Sequence, residues 1–232
     1  MLLASTIFGY TALDIIRFLA GFICLLFVLP LHEFAHAFAA VKNGDDTPKI
    51  YNRYTINPFA HFDVLGLALF LVAGFGWAKP VPINPNNFKK YKKGCIEVSL
   101  AGVIMNYIVA FVCYPLFILC YRYLPDILLF DELITYVFML GYLYSLSFCV
   151  FNLLPFYPLD GFNFIDSLFN HKGKVLQFLR QYGNLILIIL IVINMLSERI
   201  AVFNYINLLG WIMIFAQNIF SWPITAFWGL IL

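Results

Sequence analysis

Hydrophobic residues follow one another along this chain in runs that alternate with short polar stretches. A helix needs about 20 mainly apolar residues to cross a bilayer. Five runs are long enough, at roughly 11–41, 95–121, 133–154, 182–196 and 202–232. The last run predicts either one long tilted helix or a helix broken near Pro223. The pattern predicts an all-α, polytopic membrane helix bundle of about five to six transmembrane helices.

A sixth apolar stretch, residues 65–78, is too short to cross. It has about 14 residues, against about 20 for a spanning helix, and it contains Gly66, Gly74 and Gly76. We expect a re-entrant segment, because irregular backbone at membrane depth is tolerated where protein surrounds it.

The distribution of basic residues supports this topology. If the stretch turns back, the side where the first helix ends holds Lys42, Lys49, Arg53, Lys79, Lys89, Lys90, Lys92, Lys93, Lys172, Lys174 and Arg180. The opposite side then holds only Arg122 and Arg199. This asymmetry obeys the positive-inside rule, so the first helix is predicted to end in the cytoplasm.

The composition agrees with a membrane protein. Hydrophobic residues make up 63% of the 232 residues and charged residues only 11%, against about 25% charged in soluble domains. The net charge of +2 comes without a basic tail, so we expect no nucleic-acid partner. Five scattered cysteines without a CxxC pair predict neither a disulfide framework nor a zinc ribbon. The N-terminus lacks the pattern of a cleaved signal peptide, and residues 1–232 are predicted to form a single integral-membrane domain.

The most informative polar motif is His32-Glu33-Phe34-Ala35-His36, inside the first apolar run. Residues four apart lie on one face of a helix, so both imidazoles can bind the same zinc ion. Glu33 lies beside them and can accept a proton from water at the site. The motif is about 15 Å along a helix from Lys42, well inside the membrane. Ionisable groups at that depth are costly and usually functional, although a chance polar patch facing the bundle interior is the alternative.

A zinc site needs a third protein ligand, and Asp160 is the candidate. It follows a predicted spanning helix in the stretch Asn-Leu-Leu-Pro-Phe-Tyr-Pro-Leu-Asp-Gly, residues 152–161. With residues 65–78 re-entrant, that helix ends on the same side of the membrane as His36. The alternative is that Asp160 only caps a helix starting near Phe162.

Four blocks of the chain resemble the site-2 protease family of intramembrane metalloproteases. They are HEFAH at 32–36, NPFAHFDVLG at 57–66, GWAKPVPINPNNF at 76–88 with SLAGVIMN at 99–106, and NLLPFYPLDG at 152–161. The resemblance implies that His32, His36 and Asp160 bind Zn²⁺ and that Glu33 activates water. The chain resembles the minimal prokaryotic type, without PDZ or CBS domains.

Four further polar residues are weaker candidates. His61 and Asp63 could orient ligands or gate substrate, but a surface turn explains them as well. Asn106 and Asn152 lie on apolar helices, where each could bond substrate or support a zinc ligand. An ordinary interhelical hydrogen bond is an equal alternative for both.

Taken together, the sequence predicts a single membrane metalloprotease domain that hydrolyses membrane-embedded protein substrates. We expect it in a prokaryotic cell membrane, surrounded by the lipid bilayer, with the active site toward the cytoplasm. The competing functions are a metal transporter and a proteolytically inactive scaffold. A transporter would repeat polar residues along a whole pore, and an inactive scaffold would have lost the base or a ligand. The oligomeric state is not predicted.

Overall fold

The computed structural model of this chain describes residues 12–66, 68, 78–125, 129–169 and 172–232. Within them, five helices are long and apolar enough to cross a membrane. They are α1 (Ala12–Asn43), α2 (Tyr91–Tyr123), α3 (Phe130–Asn152), α5 (Lys174–Ser197) and α6 (Leu208–Gly229). A shorter helix, α4 (Asp160–Leu168), lies between α3 and α5. The predicted all-α polytopic bundle is confirmed.

The first three spanning helices form the centre of the molecule, with α1, α2 and α3 packing against one another. Small residues allow the close approach, since Ala20, Ala40 and Ala110 are completely buried. Polar bonds also join the helices. The Cys24 thiol of α1 donates to the carbonyl of Val137 in α3.

The last two spanning helices are peripheral. α6 packs on α3, whereas α5 contacts mainly α6 and a 3₁₀ turn at Ala201–Ile206. Most of their side chains face outward and are apolar, as expected for helices surrounded by lipid.

The predicted starts of the last two spanning helices differ most from the structure. α5 begins at Lys174 rather than near residue 182, because its first turns are amphipathic and lie ahead of the apolar run. α6 begins at Leu208, where the side chain of Asn207 accepts a hydrogen bond from the N–H of Gly210 at 2.9 Å. It continues through Pro223 without a break.

Most of the predicted re-entrant segment 65–78 lies outside the described residues, but its two flanks are described. An antiparallel β-bridge pairs Phe62 with Ala78. The N–H of Lys79 donates to the carbonyl of His61 at 2.7 Å. The two flanks are therefore hydrogen-bonded neighbours on the side of the bundle where α1 ends, as the predicted topology requires.

Candidate metal centre

Three polar side chains meet at the C-terminal half of α1. The Nε2 atoms of His32 and His36 are 3.0 Å apart. Oδ2 of Asp160 lies 3.4 Å from Nε2 of His32 and 3.2 Å from Nε2 of His36. Both histidines are buried and Asp160 is nearly so. The helical spacing aligns the two imidazoles, and the start of α4 brings the carboxylate to them.

This arrangement fits a zinc ion. In a tetrahedral site with bonds of about 2.0–2.1 Å, neighbouring ligand atoms are about 3.3 Å apart. The three separations are close to that value, and two imidazoles with one carboxylate are a common donor set for catalytic zinc. Among the described residues, the buried Oδ2 atom of Asp160 has no hydrogen-bond donor. A cation shared with the two histidines would satisfy it.

Hydrogen bonds from α2 orient both rings. Nδ1 of His36 lies 2.8 Å from the carbonyl of Val98. A carbonyl only accepts, so Nδ1 carries the proton and Nε2 keeps a lone pair facing Asp160. Nδ1 of His32 lies 3.0 Å from the amide nitrogen of Asn106, which is completely buried. Such bonds fix the tautomer and orientation of metal-binding histidines.

Two glycines allow the backbone to approach this closely. A Cβ at Gly102 of α2 would overlap Nε2 of His36 and the ring of His32. A Cβ at Gly161 would overlap the carbonyl of Leu153 at the end of α3. The first glycine lets α2 lie against the imidazoles, and the second lets α4 start directly under α3.

Asp160 is the first residue of α4, not its cap. Leu159 occupies the N-cap position, and the structure records no side-chain cap bond there. The capping alternative for Asp160 is therefore wrong. α4 is anchored elsewhere, since Nη2 of Arg180 donates to Oδ1 of Asp166 at 2.6 Å and Nζ of Lys92 donates to the carbonyl of Leu168 at 2.9 Å.

The carboxylate of Glu33 lies next to the two histidines in sequence and is held by a loop. Its Oε2 atom accepts a hydrogen bond from the N–H of Val81 at 3.0 Å. Val81 belongs to the polar segment that follows residues 65–78. This segment is fixed at its other end by Asp45, which accepts bonds from the N–H of Asn84 and the amide of Asn87, both at 2.8 Å.

The remaining candidates lie in local bonding networks. His61 is completely buried, and its Nε2–H donates to the carbonyl of Thr55 at 2.7 Å. Burial lowers the pKa of His61. Asp63 accepts the N–H groups of Leu65 and Gly66, each at 3.0 Å, as in an ordinary turn. Asn152 donates to the carbonyl of Phe148 one turn back in α3. Of the four weaker candidates, Asn106 is the one for which the structure records a contact with a candidate zinc ligand, His32.

Sequence reasoning missed several contributors to the site. Gly102 is one of several small residues on α2, so the sequence does not single it out. The available signal is its position one turn before Asn106, which places both residues on the face toward α1. The carbonyl of Val98 and the N–H of Val81 are backbone groups, which no side-chain motif identifies. Asp45 resembles an ordinary turn residue before Thr47 and Pro48.

Comparison with known proteins adds a relative with substantial identity. The Bacillus subtilis (strain 168) protein named "Putative zinc metalloprotease YwhC" is 38% identical over 188 residues. The match covers 80% of this chain and 84% of that protein. The chain belongs to the site-2 protease family. The resemblance noted in its motifs is confirmed.

A second relative has a lower sequence identity to this chain. The Mycolicibacterium smegmatis protein named "Putative zinc metalloprotease Rip2" is 29% identical over 179 residues, which cover 75% of this chain and 66% of that protein. No protein-family model and no solved structure matches the chain.

Proposed function

We propose that this protein is an intramembrane zinc endopeptidase that hydrolyses peptide bonds of membrane-embedded proteins. The observation that carries the proposal is the convergence of His32, His36 and Asp160 within the bundle, with Glu33 next to His32 on the same helix. The names of both relatives support a metalloprotease role.

The proposed chemistry separates metal binding from proton transfer. His32, His36 and Asp160 would hold the zinc. A bound zinc supplies a Lewis acid, which polarises the scissile carbonyl and lowers the pKa of water. Glu33 accepts a proton from the attacking water while the oxygen of that water bonds to the carbonyl carbon of the substrate. Glu33 then donates that proton to the leaving amine when the C–N bond breaks. One water is consumed and two chain ends are produced.

The substrate must present an unwound backbone, because a helix engages its carbonyls in its own hydrogen bonds. The segment after the re-entrant stretch is a candidate for binding that backbone by edge pairing. The N–H groups of Lys79 and Val81 are already engaged, and Pro80 and Pro82 have none. Over residues 79–82 the backbone of this segment therefore offers a substrate only carbonyl groups, which accept hydrogen bonds.

The decisive experiment compares wild type with Glu33→Gln on candidate single-pass substrates in liposomes. Glutamine keeps the size of glutamate but does not accept a proton at neutral pH. Loss of a general base typically lowers the rate on the order of 10²–10⁴-fold, so cleavage should fall to that extent while zinc stays bound. A rate within about threefold of wild type would exclude Glu33 as the base on that scale.

Zinc content tests the proposed ligands separately. The wild-type protein should contain about one zinc, in keeping with a single three-ligand site, and His32→Ala, His36→Ala and Asp160→Ala should each weaken binding. Full zinc in Asp160→Ala would remove Asp160 from the site. Zinc movement across liposomes without cleavage of any substrate would favour the transporter alternative.

A further inference from the structure

Four lysines surround the cytoplasmic start of α2. Lys89, Lys90, Lys92 and Lys93 are all exposed, and only Tyr91 interrupts them. Lys90 is the N-cap of α2 and makes no side-chain cap bond. The first N–H groups of the helix therefore add their positive electrostatic potential to that of the lysines.

The length of α2 places these lysines at a defined depth. From Lys93 to Arg122 the helix extends roughly 43 Å at 1.5 Å per residue. A bilayer including both headgroup layers measures about 40–45 Å. With Arg122 at one headgroup layer, Lys93 and its neighbours lie at the other, where lipid phosphates are found.

The lysines differ in how they are engaged. Nζ of Lys92 donates to the carbonyl of Leu168, and Nζ of Lys93 pairs with Glu97 at 3.3 Å. Lys89 and Lys90 have no ion pair within the described residues. Glu97 is thus the acidic side chain that the structure records in an ion pair with these four lysines. The four lysines therefore keep an excess of positive charge.

The cluster borders a groove whose lining surface is mainly apolar. Lys90, Tyr91, Lys92, Lys93, Ile96 and Glu97 line a groove of about 710 Å³. Three of these lining residues are lysines, while Ile96, the Tyr91 ring and the aliphatic lysine stems supply apolar surface. Such a lining matches a molecule with an anionic head and a hydrocarbon tail.

We propose that this groove binds an anionic phospholipid of the cytoplasmic leaflet. The phosphate lies by Lys89, Lys90 and the start of α2, and an acyl chain runs along Ile96 toward the membrane. The site adjoins the metal centre through Lys92, which bonds the last residue of α4, while Asp160 is the first residue of that helix. The proposal does not depend on the protease function.

The test is native mass spectrometry of the delipidated protein with phosphatidylglycerol or phosphatidylcholine of identical acyl chains. The variant is Lys89→Gln with Lys90→Gln. The matched control is Lys172→Gln with Lys174→Gln, which removes two exposed lysines from the same side of the membrane. Zinc content and thermal unfolding verify that both variants fold.

Wild type should prefer phosphatidylglycerol, and the preference should weaken with salt. Each lysine near an anionic membrane surface contributes roughly fivefold in affinity. Removing Lys89 and Lys90 should thus weaken phosphatidylglycerol binding roughly 30-fold, with little change in the control. Equal binding of the two lipids by wild type, or an equal loss in both variants, would overturn the proposal.

Discussion

At the scale of single residues, Asn106 determines which nitrogen of His32 is available to a metal. Nε2 of His32 faces Asp160, so a metal there requires the proton on Nδ1. Nδ1 then needs an acceptor. A half rotation of the Asn106 amide supplies its Oδ1, a buried atom that has no hydrogen-bond partner in the part of the chain that the structure describes.

We therefore expect Asn106→Leu to weaken zinc binding about 10–100-fold, the usual effect of losing such a supporting bond. Asn106→Asp should retain zinc, because its carboxylate also accepts the Nδ1 proton. Competition with a chromogenic chelator measures both affinities. A wild-type zinc affinity in Asn106→Leu would show that the bond between Asn106 and His32 only joins the two helices.

Gly102 provides a second prediction at this scale. Alanine there would press its methyl group into both imidazoles. Such overpacking typically costs about 1–3 kcal/mol, so Gly102→Ala should unfold at lower temperature and bind less zinc. The matched control is Gly229→Ala, because no atom of the described residues lies within 4 Å of a Cβ at that position. Equal behaviour of the two variants in thermal unfolding and zinc analysis would contradict the role given to Gly102.

These residues also mark how far the sequence predicts the site. His32, Glu33 and His36 are recognisable because their function depends on spacing within one helix. Asp160 requires the additional step of placing two helix ends on the same side of the membrane. Gly102 and the carbonyl of Val98 depend on the contact surface between α1 and α2, which no local pattern defines.

At the scale of elements, the loop that holds Glu33 depends on Asp45. This carboxylate is completely buried. Burial opposes its ionisation, but hydrogen bonds from Thr47, Asn84 and Asn87 outweigh burial and lower the pKa of Asp45. A carboxyl group whose pKa is lower in the folded state stabilises the fold above its unfolded pKa. That contribution is lost as the pH falls through the folded pKa.

Asp45→Asn should therefore loosen residues 79–89, because the amide replaces one acceptor oxygen by a donor. Hydrogen bonds to a charged group contribute about 1.5–3 kcal/mol each, so protease nicking of this loop should increase at neutral pH. In wild type the same nicking should appear only below the usual Asp pKa of about 3.9. The control is Asp46→Asn, since the exposed neighbour pairs with Lys49 at the surface. Similar nicking of both variants would show that Asp45 does not hold this loop in place.

The helices illustrate a different limit of prediction. Apolar length identified all five spanning helices among the residues that the structure describes, because the bilayer imposes the same requirement on each. It did not locate the starts of α5 and α6. The first turns of α5 are amphipathic, and α6 is preceded by a 3₁₀ turn within the same apolar run. Hydropathy does not distinguish two helical forms whose sequences are similarly apolar.

At the scale of the whole molecule, the metal centre requires a particular topology. α1 and α3 must both end on the same side of the membrane for His36 and Asp160 to meet. An odd number of crossings between these ends would separate them by about 30 Å of hydrocarbon. With α2 and α3 both spanning, the short stretch 65–78 must return to the side from which it leaves. The hydrogen bond between His61 and Lys79 joins its two flanks in that way.

Cysteine labelling in intact cells tests this topology. Ile56 and Asn86 are exposed on the two flanks of the stretch, and Tyr205 is 81% exposed between α5 and α6. In a chain whose five cysteines are replaced, an impermeant maleimide should modify Tyr205→Cys from outside. Ile56→Cys and Asn86→Cys should react only after the membrane is opened. If Ile56→Cys and Asn86→Cys reacted from opposite sides, the stretch would cross the bilayer. His36 and Asp160 would then lie on opposite faces, and neither the zinc site nor the proposed protease would stand.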